Sequence, residues 1–67
     1  MLKMSEESRR FINENIPDVL SAKTVNDALD LIYYFIDDYG FAPPDYEDYN
    51  EIGRKAQRVY DDIYMQN

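Results

Sequence analysis

Apolar residues recur along this chain with the 3.6-residue period of an amphipathic helix, and no stretch alternates with the two-residue period of a strand. The longest helical pattern covers residues 25–39. It follows Thr24, a preferred N-cap residue, and stops before Gly40, a residue type common at helix ends. Its apolar side spans roughly 200° of arc, so we expect a central helix that packs against two neighbours. The residues on that side are Val25, Ala28, Leu29, Leu31, Ile32, Tyr33, Phe35, Ile36 and Tyr39.

The preceding segment predicts one helix and one short helical turn. Ser5 is a suitable N-cap for a helix over residues 5–15. Pro17 disfavours helical geometry in the residue before it, which ends that helix. The same proline can begin a short turn over residues 17–22. The inward side of the first helix comprises Met4, Ser8, Phe11, Ile12 and Asn15.

The last periodic segment predicts a helix over residues 46–65. Asp45 is its expected N-cap, and Glu47 and Asp48 would lie in the first turn, where the helix dipole favours acids. Gly53 costs this helix about 1 kcal/mol relative to alanine, so we expect another element to approach closely there. The apolar stripe is Tyr49, Ile52, Ala56, Val59, Tyr60 and Ile63.

Together these segments predict an all-α fold. We expect a small three-helix bundle with a short extra helical turn between the first helix and the central one. Sixty-seven residues suit a single domain, so residues 1–67 are predicted to form one helical domain.

The net charge of −7 is concentrated in the middle of the chain. Residues 23–48 hold one basic and seven acidic residues, and therefore −6 of that charge. This sign disfavours direct binding to nucleic acid, since phosphate contacts need Lys and Arg, and it disfavours anionic membranes. A basic or mixed-charge protein surface is the partner class that fits.

Two surfaces are candidate protein-binding sites. The first is the polar side of the central helix, an acidic face with one tyrosine in its middle, which is either a binding surface or only a solvated one. It comprises Asp27, Asp30, Tyr34, Asp37 and Asp38. The second is a tyrosine ridge predicted along the last helix, which either packs on the bundle or forms an interface of the kind tyrosine favours. It comprises Tyr46, Tyr49, Gly53, Tyr60 and Tyr64.

Two short segments, YNEI at residues 49–52 and YDDI at residues 60–63, resemble an immunoreceptor tyrosine-based activation motif. The resemblance covers 15 residues of the chain. It implies phosphorylation of Tyr49 and Tyr60 and recognition by tandem phosphotyrosine-binding domains. The same spacing also follows from one apolar helix face, so both readings stay open.

Several kinds of chemistry are disfavoured by composition. The chain has no cysteine and no histidine, which removes thiolate and histidine metal sites and the commonest general base. The acids of residues 37–48 do not match the calcium-loop spacing of an EF-hand, because glycine falls at its fourth position instead of its sixth. A looser calcium or magnesium site is the remaining metal alternative. We expect no enzymatic activity and no cofactor.

The function expected from these features is protein binding without catalysis. One alternative is inhibition of a nucleic-acid-binding protein by partial charge mimicry, as in proteins of phages and mobile elements. Another is a structural accessory subunit, including a homo-oligomer. The longest apolar run, LIYYFI, is far shorter than a membrane span, and we expect a cytoplasmic protein that does not bind membranes.

Overall fold

The computed structural model describes residues 2–67, which form three α-helices and one 3-10 helix without a strand. The α-helices are α1, Glu6–Asn15, α2, Val25–Tyr39, and α3, Glu51–Gln66, and the 3-10 helix is Pro17–Ser21. Both α1 and α2 pack on α3, and the 3-10 helix contacts α1 and α2. The predicted all-α three-helix bundle with an extra turn is confirmed. None of these helices is long and apolar enough to cross a bilayer.

The first two α-helices begin at the predicted capping residues. The Ser5 hydroxyl accepts a hydrogen bond from the Ser8 amide at 3.1 Å, and the Thr24 hydroxyl accepts one from the Asp27 amide at 3.0 Å. Each side chain satisfies an amide that has no partner within its own helix.

The last helix begins five residues later than predicted, and Asp45 is not its N-cap. The N-cap is Asn50, whose side-chain oxygen accepts from the Gly53 amide at 2.8 Å. The chain before it forms a loop, residues 41–50, in which the Ala42 amide donates to the Asp48 carbonyl at 2.9 Å. A helix starting at residue 46 is incompatible with this loop, because Tyr46 has a left-handed φ of 57°.

The core lies where α2 and α3 face each other and is closed by one side of α1 and the 3-10 helix. Its buried apolar residues are Ile12, Ile16, Val19, Ala28, Leu29, Ile32, Ile36, Ala56, Val59 and Ile63. Two tyrosines predicted to point inward from the central helix do not: Tyr33 is 60% exposed and Tyr39 is 64% exposed. Tyr33 borders an opening between α2 and α3. Tyr39 is the last residue of α2 and packs on Phe35, with ring centroids 5.2 Å apart. The first helix, α1, does not lie alongside α2. It reaches α2 through an edge-to-face contact of Phe11 and Phe35, with ring centroids 6.2 Å apart.

Two glycines meet where the end of α2 crosses the start of α3. A Cβ atom at Gly53 would overlap the Gly40 carbonyl oxygen and lie 2.8 Å from its carbonyl carbon, so the predicted close approach is confirmed. Gly40 has a φ of −92°, outside the left-handed region, so it is not a left-handed cap of α2. A Cβ atom there would lie 2.6 Å from the Ile36 carbonyl oxygen. Both glycines therefore serve close packing.

Polar contacts join the N-terminal residues to the far end of α3. The Ser5 amide donates to the Asp62 carboxylate at 2.8 Å. Lys3 and Asn67 exchange two hydrogen bonds, at 3.1 Å and 2.8 Å. The hydrogen bond from the Ser5 backbone, followed by those from the Gln66 and Ser8 side chains, lowers the pKa of Asp62 from 3.8 to about 2.

Two pairs of opposite charges lie four residues apart along α3, and only one of them forms an ion pair within residues 2–67. Glu51 and Lys55 form it, at 3.5 Å. Arg58 does not pair with Asp62, whose oxygens bind Ser5 and Gln66 instead. Both side chains of the Glu51–Lys55 pair are exposed, so it adds at most about 1 kcal/mol to stability.

Replacing Gly53 by alanine is expected to destabilise the fold. Helix propensity alone would raise the free energy of unfolding by about 1 kcal/mol. The overlap with Gly40 should outweigh it and lower that free energy by about 1–3 kcal/mol. Urea unfolding of Gly53→Ala measures this, with exposed Arg54→Ala as the control. A gain in stability for Gly53→Ala would contradict the close contact.

Asp62→Asn is expected to make stability less sensitive to acid. The folded-state pKa of Asp62 is lower than its ordinary value, so its contribution is fully present above pH 3.8 and is lost as pH falls through about 2. Asp62→Asn should therefore be less stable than the wild type at neutral pH, with the difference disappearing near about pH 2. Chemical unfolding across this range, with Asp30→Asn as control, checks the prediction. A difference that does not change with pH would refute it.

Candidate functional site

The predicted acidic face lies on the solvent side of α2. All four of its aspartates are exposed, and Tyr34 is 61% exposed. Tyr34 lies four residues from both Asp30 and Asp38, so their side chains are neighbours along the helix surface. Tyr34 also meets the ring of Tyr33 edge-on, with centroids 6.0 Å apart. None of these aspartates forms an ion pair with any residue from 2 to 67.

The acids that follow α2 extend this negative region. Asp45, Glu47 and Asp48 are exposed, but they lie in the 41–50 loop and not in the first turn of α3. All seven acids of residues 23–48 are therefore exposed, and none has a cationic partner in the described chain, residues 2–67. Their charge is uncompensated within the fold.

The predicted tyrosine ridge is divided between two elements. Tyr46 and Tyr49 lie in the loop, whereas Tyr60 and Tyr64 lie on α3. Gly53 is buried against Gly40 and contributes nothing to the surface. Tyr60 is half-buried, and Tyr64 is 65% exposed. The ridge is therefore not one continuous exposed row.

A groove of about 260 Å³ lies between α2 and α3, beside the loop. It joins part of the acidic face to part of the tyrosine set, because Asp37 lines it together with Tyr49 and Tyr60. We call it the tyrosine groove. Its lining residues are Tyr33, Ile36, Asp37, Phe41, Tyr49, Gln57 and Tyr60.

Ring packing and side-chain hydrogen bonds hold one side of the groove in place. The rings of Phe41 and Tyr49 stack with centroids 5.2 Å apart and an angle of 32°. The Tyr49 hydroxyl donates to Gln57 Oε1 at 3.2 Å, and Gln57 Nε2 donates to Asp61 at 3.0 Å. These contacts connect the loop to α3, so the aromatic side of the groove is held in place without a bound partner.

Asn50 fixes the loop that carries these rings. Its Nδ2 donates to the Tyr39 carbonyl at 2.8 Å, and its Oδ1 accepts from the Gly53 amide. The backbone amide of Asn50 donates to the Gly40 carbonyl at 2.9 Å. One side chain thus caps α3 and also binds a free carbonyl at the end of α2.

A larger opening, of about 400 Å³, lies between α1 and α3. Three cations and three acids line it: Arg10, Lys55, Arg58, Glu7, Glu14 and Asp62. Because its charges balance, it favours neither an anion nor a cation. The tyrosine groove, with Asp37 as its one charged residue, has a definite preference and is the better candidate.

Two other sequence readings have structural outcomes. No group of three or more acids within residues 2–67 converges closely enough to hold a metal ion. In the segment that resembles a tyrosine-based activation motif, Tyr60 is half-buried in α3 and Ile63 is fully buried. A phosphotyrosine-binding domain that reads an extended peptide would have to unwind α3 to reach this half of the motif.

Four residues of the groove are not among the predicted site residues: Tyr33, Ile36, Phe41 and Gln57. Ile36 belongs to the predicted apolar side of α2. Tyr33 lies four residues before Asp37, at the edge of the wide apolar arc of α2. That edge position was the one sequence feature that indicated an exposed Tyr33. When the apolar side of a helix is wider than the neighbouring helices can cover, the residues at its borders stay exposed. Phe41 and Gln57 carry no comparable pattern, because the fold alone brings them together.

Comparison of the chain with protein-family models, with curated proteins and with solved structures found no match. The functional argument therefore depends on the geometry and chemistry of these surfaces.

The two roles of Asn50 can be separated by substitution. Asn50→Ala loses both the cap and the bond to Tyr39, and should lower the free energy of unfolding by about 2 kcal/mol. Asn50→Asp keeps the cap, but it loses the side-chain donor and places a negative charge at the C-terminal end of α2. We therefore expect it to lower the free energy of unfolding by about 1 kcal/mol. Urea unfolding measures both, with exposed Asn13→Ala as control. Wild-type stability in Asn50→Asp would show that the bond to Tyr39 is not needed.

Proposed function

We propose that this chain is a protein-binding module without catalytic activity, and that it binds a basic or mixed-charge protein surface. The binding surface comprises the tyrosine groove and the adjoining acidic face of α2. The observation that carries the proposal is the position of Asp37, which belongs to the acidic face and also lines the groove. An aromatic recess and an uncompensated negative surface are therefore continuous. The expected cytoplasmic location is part of the proposal.

The exposed tyrosines support a binding role. Six of the seven tyrosines are exposed, a large apolar area for a protein of this size: Tyr33, Tyr34, Tyr39, Tyr46, Tyr49 and Tyr64. Tyrosine is enriched among residues that dominate binding energy, because its ring is large and rigid and its hydroxyl tolerates water. Tyr46 adds a separate argument. It is exposed although its left-handed backbone disfavours a tyrosine, so folding alone does not explain its presence.

The charges support the choice of partner. The seven exposed acids of residues 23–48 would speed association with a basic surface and repel an acidic one. Tyrosines at the centre of such a contact supply affinity, and the surrounding acids supply selectivity. This division of roles matches a groove that is mainly aromatic and that meets the acidic face at Asp37.

The same seven acids favour a second candidate, an inhibitor that imitates nucleic acid. The central helix is about 22 Å long at 1.5 Å per residue, and duplex DNA carries about 13 charges over that length. Four of the seven acids lie on this helix and three in the loop that follows it, so together they supply at most about half of that density. In this candidate the acidic face carries the binding and the tyrosine groove is secondary.

A comparative pull-down tests both candidates. The bait proteins are the wild type, Asp37→Lys in the groove, and Glu14→Lys at the α1–α3 opening, which changes the net charge equally. A specific partner should be retained by Glu14→Lys and should bind Asp37→Lys at least about tenfold more weakly, a loss of 1.4 kcal/mol. Equal capture by both variants would contradict the proposed surface. Displacement of the captured protein by DNA, steeply dependent on salt, would favour the mimicry candidate.

A further inference from the structure

We infer that the tyrosine groove receives an arginine side chain from the partner protein. This inference rests on the proposed function and goes one step further, because it names the group that enters the groove. It depends on the aromatic rings, the single carboxylate and the size of the groove.

Four aromatic rings line the groove and give it the chemistry of a cation-binding site. Phe41 and Tyr49 lie at 32° to each other, and Tyr33 and Tyr60 line the same groove. A cation placed over an aromatic face is attracted by the electron density of the ring. Guanidinium is planar and more weakly hydrated than ammonium, so it stacks on such rings at a smaller desolvation cost than lysine.

Asp37 supplies the counter-charge. It is exposed, it lines the groove, and no residue from 2 to 67 forms an ion pair with it. A carboxylate accepts two parallel hydrogen bonds from a guanidinium group, a geometry that lysine cannot match. Gln57 Oε1 uses one lone pair for the Tyr49 hydroxyl and keeps a second one free to accept.

The dimensions of the groove fit one long side chain. Its volume of about 260 Å³ is slightly below the range of about 300–1,000 Å³ that is usual for small-molecule sites. Ile36, which is buried and lines the groove, provides an apolar surface for the methylene stem of the incoming residue. An acidic or phosphorylated side chain is disfavoured by Asp37 and by the −6 charge of residues 23–48.

The test is a titration of the isotope-labelled full chain with N-acetyl-arginine amide, followed by NMR. Three matched probes accompany it: the neutral citrulline analogue, the lysine analogue and the trimethyl-lysine analogue. We expect saturable shifts of the Gln57 side-chain amide and the Tyr49 ring with arginine, weaker ones with both lysine probes, and none with citrulline. Asp37→Asn should weaken arginine binding by about 3- to 5-fold. Asp18→Asn, which removes the same charge from the 3-10 helix outside both the groove and the acidic face, should leave it unchanged.

Several results would overturn the inference. They are no saturable shift with arginine, equal binding of citrulline, tighter binding of either lysine probe, or equal effects of Asp37→Asn and Asp18→Asn. Different results decide the proposed function and the arginine inference. If a partner is captured in a manner that depends on Asp37 while arginine and citrulline behave alike, the module binds protein but not through an arginine. If no partner depends on Asp37, the proposed function itself fails.

Discussion

The contact between Gly40 and Gly53 is the constraint on which the rest of this structure depends. The carbonyl of Gly40 occupies the place where any larger residue at position 53 would put its Cβ atom. This lets the end of α2 and the first turn of α3 touch backbone to backbone. Asn50 lies beside that crossing and is hydrogen-bonded to both helices. The crossing point and its one polar side chain therefore set the relative positions of the two helices that form most of the core.

The candidate site, the tyrosine groove, forms because α2 and α3 cross at Gly40 and Gly53. With the two helices joined so tightly, residues 41–50 leave the bundle and return as a loop. The loop ends carry Phe41 and Tyr49 to the same place, where the rings stack against each other beside α3. The groove thus combines residues from α2, the loop and α3. Its shape depends on the Gly40–Gly53 crossing, which does not include Asp37, the one charged residue of the groove. Stability and recognition are separable here, since the residues that fix the junction differ from those that would contact a partner.

Local patterns predicted much of the fold and little of the site. The bounds of α2 and the caps at Ser5 and Thr24 follow from residue types that act over three or four positions. The start of α3 was not predictable in this way, because Asp45 and Asn50 are both good caps and only the packing of Gly53 selects Asn50. The exposure of Tyr33 has a similar origin, since it depends on how α3 packs against α2 and leaves a groove open beside Tyr33. The groove brings together residues that are up to 27 positions apart in the sequence, from Tyr33 to Tyr60. No local sequence pattern predicts such a tertiary arrangement.

The paired hydrogen bonds between Lys3 and Asn67 have a consequence for how this unit can be connected to other proteins. They bring the two ends of the described chain together at the C-terminal end of α3, whereas the Gly40–Gly53 crossing lies at its N-terminal end. The helix is about 24 Å long at 1.5 Å per residue, so the attachment points are well separated from the loop. A fold with adjacent ends can be inserted into a surface turn of a host protein. It would then project from the host with Tyr49 and Phe41 at the end of α3 that is farther from the attachment points.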